Sequence, residues 1–230
     1  MQKYSAVIFD LFGTLVDNLS VREYDSVLRQ MALLLSAPPD DFVWLWFDTF
    51  NKQATGVFQS SEATIEYICR KLRVHPEDTQ TKLAARIMFD FIACSMTPRP
   101  DAIEVLSHLK LDGYKTGLIT DCSSEAPAIW KTTSFAPWID VAVFSCSVGL
   151  RKPDPCIYCL AADQLAVEPE TCLYIGDGSS QELTGASQVG MHPVLIRVPY
   201  EDRADTHRLD REEWASPVIS SLKEVINLLD

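Results

Sequence analysis

Asp10 closes the apolar run Ala6-Val7-Ile8-Phe9 and opens the turn Asp10-Leu11-Phe12-Gly13-Thr14. A carboxylate at the end of a buried strand can attack phosphorus or carbon to form a covalent intermediate. Gly13 permits a tight turn that brings backbone amides to an anionic ligand. Taken alone, such an Asp more often caps a loop than attacks a substrate. Thr120 and Asp177 stand in comparable places, each directly or almost directly after an apolar run. Open parallel sheets bind ligands at the carboxyl ends of their strands, so these three segments are expected to converge on one edge.

The elements that position them follow from periodicity. Short β-rich runs at Ala6–Phe9, Thr116–Ile119, Val141–Phe144, Cys172–Ile175 and Val194–Val198 alternate with helical patterns, which reads as an α/β fold with a Rossmann-like parallel sheet. The first and fourth runs are almost continuously apolar, as strands buried on both faces should be. Between the first and second strands, residues 18–96 are helical throughout and too long for an ordinary crossover. They read as an inserted α-helical domain, with residues 1–17 and 97–230 forming the core domain. Four helices are predicted there: one opened by Ser20 and Glu23, with Leu28, Met31, Leu34 and Leu35 on its apolar face and Pro38-Pro39 at its end, then Phe42–Phe50, Glu62–Leu72 and Glu77–Cys94. Helical spacing groups Trp44 and Phe47, with Val43 and Phe50, as the packing face of the second, leaving one or two aromatics for substrate. Thr97-Pro98-Arg99-Pro100 is a hinge candidate, and the charged stretch Glu201–Glu213 reads as a solvated loop.

Composition removes several function classes. At 230 residues and 47% hydrophobic the chain can bury an enzyme-sized core, and its net charge of −12 argues against nucleic-acid binding. No apolar run approaches the roughly 20 residues of a membrane span, and the opening residues read as a first core strand rather than a secretory signal. Seven Cys form an odd set without paired metal spacing, so a reducing, cytoplasmic compartment is expected; Cys156 and Cys159 read as two small helix residues. Gly-x-Ser-x-Gly is absent, and the four His are scattered without metal-like spacing.

With these motifs in order, the sequence resembles the haloacid dehalogenase-like hydrolase superfamily over essentially its full length. The run ending in Asp10 with Thr14 resembles the first motif, and Leu118-Ile119-Thr120 the second. Lys152 in Gly149-Leu150-Arg151-Lys152-Pro153-Asp154-Pro155 matches the third, and Gly176-Asp177-Gly178 through Glu182 the fourth. The helical insertion lies where this family carries its caps. The resemblance implies a Mg2+-dependent phosphatase acting on a small molecule, with catalytic Asp10, Thr120 and Lys152. It also implies a phosphate cradle of Gly13, Thr14, Thr120, Asp121 and Lys152, and a metal held by Asp10, the Phe12 backbone carbonyl and Asp177. Physically, Thr120 can donate its hydroxyl to a phosphoryl oxygen, Lys152 can neutralise nucleophile and dianion, and Asp177 offers the hard oxygen that Mg2+ takes. Glu182 either binds through water or orients Lys152.

Position 12 departs from the family's phosphatases, many of which place a general acid and base there. A phenyl ring transfers no proton, so hydrolysis of a simple alkyl phosphate loses roughly 100-fold to 10,000-fold unless another group substitutes. The resemblance extends to the 2-haloacid dehalogenases, which have an aromatic residue there and a Tyr after the Lys-Pro-Asp segment, here Tyr158. Against that alternative, the Gly-Asp pattern of the fourth motif is intact, and Asp40-Asp41-Phe42-Val43-Trp44 lacks the Arg that binds halide. A third reading, a catalytically impaired interaction protein, has retained Asp10, Lys152 and Asp177 against it.

Overall fold

A computed structural model describes residues 3–202, 204–207 and 211–229. Strands β1 (Ala6–Phe9), β2 (Lys115–Thr120), β3 (Val141–Phe144), β4 (Cys172–Gly176), β5 (His192–Ile196) and β6 (Val218–Ile219) form one sheet in the order β3-β2-β1-β4-β5-β6, with every pair parallel. The short β6 and the shift of β5 to His192–Ile196 are differences from the sequence reading. Strand β1 is fully buried, and its side chains alternate between two cores as the pleat requires. Val7 and Phe9 join the core that runs into the inserted helices, while Ala6 and Ile8 join the one opposite.

Phe9 pairs with Leu118 of β2 and with Ile175 of β4, so the three central strands end in step. The Asp10 N–H extends the ladder to the Ile175 carbonyl at 2.9 Å. This register places Asp10, Thr120 and Asp177 on one carboxyl edge.

Five helices, not four, fill the insertion: α1 (Val21–Leu34), α2 (Pro39–Asp48), α3 (Phe50–Ala54), α4 (Ser61–Leu72) and α5 (Asp78–Ser95). Ser20 caps α1 by accepting from the Glu23 N–H at 3.2 Å, and Glu77 with Gln80 forms a capping box on α5. Pro39 occupies the first turn of α2, so Pro38-Pro39 starts a helix as well as following one. The Thr49 hydroxyl bonds back to the Leu45 and Trp46 carbonyls where α2 gives way to α3, which divides the single predicted helix. The expected packing face of α2 is also corrected. Phe42 and Trp46, four residues apart, are buried and stacked, whereas Trp44 is 65% exposed.

Helix α6 (Ala102–Leu111) returns the chain to β2, and α7 (Glu125–Trp130) and α8 (Ser145–Val148) follow β2 and β3. Helices α9 (Pro155–Leu165) and α10 (Glu182–Gln188) cover the opposite face, contributing Ile157, Tyr158, Leu183 and Ala186 to its core. Cys156 is exposed on α9 and Cys159 half-buried. Among the described residues, no helix is long and apolar enough to cross a membrane.

Candidate active site

Lys152 is the hinge of the site. Its Nζ lies 2.5 Å from Asp10 Oδ1 and 2.5 Å from Glu182 Oε2, with all three side chains buried. Burial works against the ammonium, but Asp10, Glu182 and Asp121 outweigh it and hold Lys152 well above its ordinary value. The loop carrying Lys152 is fixed from two sides. Asp121 accepts the Lys152 N–H at 3.0 Å and the Arg151 Nε–H at 3.3 Å. Asp154 caps α9 by accepting the Cys156 N–H at 2.9 Å, with Pro155 in the first turn.

Glu182 is committed on both oxygens. Oε2 also accepts from the Tyr174 hydroxyl at 2.8 Å, and Oε1 from the Gly178 N–H at 2.9 Å. Burial raises its carboxyl; Lys152 opposes that shift, and Asp10 and Asp177 add to it. A side chain at Gly176 would overlap this carboxylate, so the Gly before Asp177 has a packing reason.

One oxygen from each of Asp10, Asp177 and Glu182 lies within 4.8 Å of the others, a buried acidic cluster with the hard-oxygen chemistry a divalent cation takes. Asp177 Oδ1 accepts from the Ser179 N–H at 3.0 Å, and Oδ2 from Asn18 Nδ2 at 3.1 Å. Burial works to raise the Asp177 carboxyl, but Arg211, Ser179 and Asn18 outweigh it and hold it below the ordinary value. Gly13, at φ +89°, lies against this carboxylate; a Cβ there would stand 2.6 Å from Asp177 Oδ2. Thr14 and Thr120 are both buried, the Thr14 hydroxyl 3.5 Å from Asp10 Oδ2 and Thr120 at the carboxyl end of β2.

Sequence reasoning missed a cationic and polar shell around these carboxylates. Arg211 Nη2 lies 3.0 Å from Asp177 Oδ2. Buried Arg99 pairs with Asp17 at 3.0 Å and Glu201 at 2.5 Å. The stretch 201–213 therefore does more than skirt the surface: Thr206 is buried and Glu212 accepts from the Leu183 N–H at 2.6 Å. Residues 203 and 208–210 of that stretch lie outside the described residues. The net acidity of the stretch hides Arg211, the cation that pairs with Asp177 among the described residues, and no local pattern reveals Asn18.

A pocket of about 440 Å³ opens between the sheet edge and the inserted helices, walled on its apolar side by Phe12, Tyr24, Trp46, Phe47, Phe50 and Ile92. Three aromatics of the α2–α3 region reach it, more than the one or two expected. Asp121, Cys122, Ser123, Arg151 and His207 supply its polar groups. Arg151 spans it, bonding Asn51 Oδ1 at 3.0 Å and lying 5.6 Å over the Phe50 ring. Tyr158 faces elsewhere. Its hydroxyl donates to the Glu182 carbonyl at 3.0 Å in the core on the other face of the sheet.

The family profile described as haloacid dehalogenase-like hydrolase matches residues 4–190. The chain belongs to this family. Over 135 residues it is 30% identical to the glyceraldehyde 3-phosphate phosphatase of Methanopyrus kandleri, covering 57% of each chain, so it spans just over half of that relative. It is 28% identical to the (S)-2-haloacid dehalogenase 4A of Burkholderia cepacia, over 83% of this chain and 82% of that one. The crystal structure of a HAD phosphatase from Thermococcus onnurineus superposes with a TM-score of 0.67 at 21% identity, covering 98% and 97% of the two chains. At that identity the likeness establishes the shared fold.

Proposed function

We propose that this hydrolase is a Mg2+-dependent phosphatase acting on a small phosphorylated molecule through an aspartyl-phosphate on Asp10. The observation that carries the reading is the acidic cluster of Asp10, Asp177 and Glu182 beside a buried lysine. A dehalogenation of an uncharged carbon centre has no use for Asp177, whereas a phosphoryl dianion approaching Asp10 needs added positive charge. When bound, Mg2+ would be held by Asp10, the Phe12 backbone carbonyl and Asp177, and would neutralise phosphoryl oxygens.

The chain's own residues do the rest. Asp10 attacks phosphorus, and Lys152 holds the attacking carboxylate while drawing in the dianion. Thr14, the Thr120 hydroxyl and the backbone amides at Gly13 and Asp121 cradle the nonbridging oxygens. The Asp121 carboxylate contributes by placing Lys152, and Glu182 by orienting the ammonium rather than by direct ligation. We place the cap at residues 18–96 and the catalytic core at 1–17 and 97–230. Seven free cysteines support a reducing, cytoplasmic setting.

Release of phosphate from 4-nitrophenyl phosphate, lost on chelation and in Asp10→Asn, is the expected result. The alternative, an Asp10 ester formed by displacing halide from a 2-haloacid, draws support from Phe12 and the apolar pocket. Chloride release from 2-chloropropionate without added metal would replace the phosphatase reading. No turnover in either assay and no Mg2+ binding would point to an interaction protein.

A further inference from the structure

Resting on the phosphatase reading, we propose that the substrate is a phosphomonoester of an acidic hydroxyl, a phenol above all, whose apolar body fills the pocket between sheet edge and cap. Two independent features meet there. Phe12, two residues beyond the nucleophile, forms part of the pocket wall, so the place from which a side chain would reach the leaving oxygen is apolar. The surrounding wall of Tyr24, Trp46, Phe47 and Phe50 matches a ring better than a polyol, and about 440 Å³ lies within the roughly 300–1,000 Å³ of small-molecule pockets.

The chemistry follows from where the electron pair goes. An Asp10 oxygen attacks phosphorus, and the ester P–O bond breaks with its pair on the departing oxygen. An alkoxide, about as basic as hydroxide, needs a proton as it leaves. A phenoxide, of conjugate acid pKa about 10, leaves without one and is protonated by water afterwards. The other titratable groups on the wall are differently engaged. Asp121 is bound to the Lys152 N–H and Arg151, burial keeps the Cys122 thiol well above its ordinary value, the Tyr24 hydroxyl accepts the Trp46 Nε1–H, and His207 packs edge-on against the Tyr24 ring with centroids 6.2 Å apart. In the second step a water oxygen attacks phosphorus, the P–O bond to Asp10 breaks, and the carboxylate is restored as the water's proton passes to solvent. The sum is one water consumed, one phenol and one inorganic phosphate formed. Phe12 provides no base for that water either, so the phosphoenzyme accumulates.

The test compares esters of similar apolar body and different leaving oxygen: phenyl, 4-nitrophenyl and 2-naphthyl phosphate against phenethyl phosphate, with the full chain and Mg2+. The aryl esters should exceed phenethyl phosphate in kcat/KM by about 10²-fold to 10⁴-fold, with a burst of phenol stoichiometric with enzyme. Phe12→Asp should close that gap and Phe12→Leu should not. Phe47→Ala should raise KM for 2-naphthyl phosphate by roughly tenfold. The wild-type comparison stands whether or not a variant folds. Equal rates on phenyl and phenethyl phosphate would overturn the proposal and leave the phosphatase reading intact. Phosphate release from none of the four esters would overturn both.

Discussion

Lys152→Met removes the one ammonium that separates two buried carboxylates while keeping an apolar stem of similar length. Nζ touches both Asp10 and Glu182 at 2.5 Å, and the Lys152 and Glu182 side chains are 2% and 0% exposed, so solvent screening offers little relief. Breaking a buried pair by deleting one partner costs about 3–5 kcal/mol. At about 2–4 °C per kcal/mol for a chain of this length, the melting temperature should fall by roughly 6–20 °C. The loss should depend on pH with a definite sign. In the variant, Glu182 loses the cation that opposes its burial, so its folded pKa, already pushed up to about 8, rises further. The folded state then binds more protons than the unfolded one, so stability falls as pH rises from the ordinary carboxylate value toward the raised one. Urea unfolding at pH 9 and pH 6 should show the larger deficit at pH 9, where the wild-type Glu182 carboxyl has ionised and the variant's resists ionisation, partly recovered by Mg2+. A deficit below about 1 kcal/mol that is the same at both pH values would refute the charge-balance account of the site.

Gly13→Ala places a Cβ 2.6 Å from Asp177 Oδ2 in a left-handed backbone, so titration calorimetry should show Mg2+ affinity falling by roughly tenfold or more, with about 1–2 kcal/mol lost from stability. Unchanged affinity would mean Asp177 is not a ligand. Arg211→Met removes the cation lying on Asp177 and should tighten Mg2+ binding several-fold in the same measurement; weaker binding would contradict competition between the two charges. Tyr158→Phe should cost about 1 kcal/mol by deleting the bond to the Glu182 carbonyl while kcat on an aryl phosphate stays within roughly twofold. A large loss of kcat with intact stability would return the Tyr158 hydroxyl to the chemistry.

The sheet was legible because buried parallel strands write themselves as apolar runs, and the strand ends named Asp10, Thr120 and Asp177 directly. Lys152 and Glu182 were found through motif spacing, since neither lies on a strand and only the fold brings them within 2.5 Å of each other. The inserted helices were visible by length and period, but their inner face was not. Trp44 and Trp46 are two residues apart on one helix, and which of them turns inward depends on where Thr49 ends it and on the Tyr24 hydroxyl that receives the Trp46 Nε1–H at 3.0 Å. Arg211, Asn18 and Glu201 were invisible for a related reason. Asn18 and Glu201 meet the site's shell through contacts more than 100 residues away in sequence and Arg211 reaches Asp177 from a separate loop, and isolated polar residues in loops carry no periodic signal.

Arg151 links events at the two ends of the pocket. Its Nε is held by Asp121, beside the proposed phosphoryl cradle, while Nη1 and the guanidinium face rest on Asn51 and Phe50 of the helical insertion. The guanidinium thus ties the inserted helices to the sheet edge, and a movement of the helices away from the sheet would break its two outer contacts before the inner one. Under the proposed reading, escape of a bulky product would then have its own barrier, separate from bond breaking. Loosening this tie at Asn51, which touches neither carboxylate nor phosphoryl group, is a way to change turnover without altering the reaction itself.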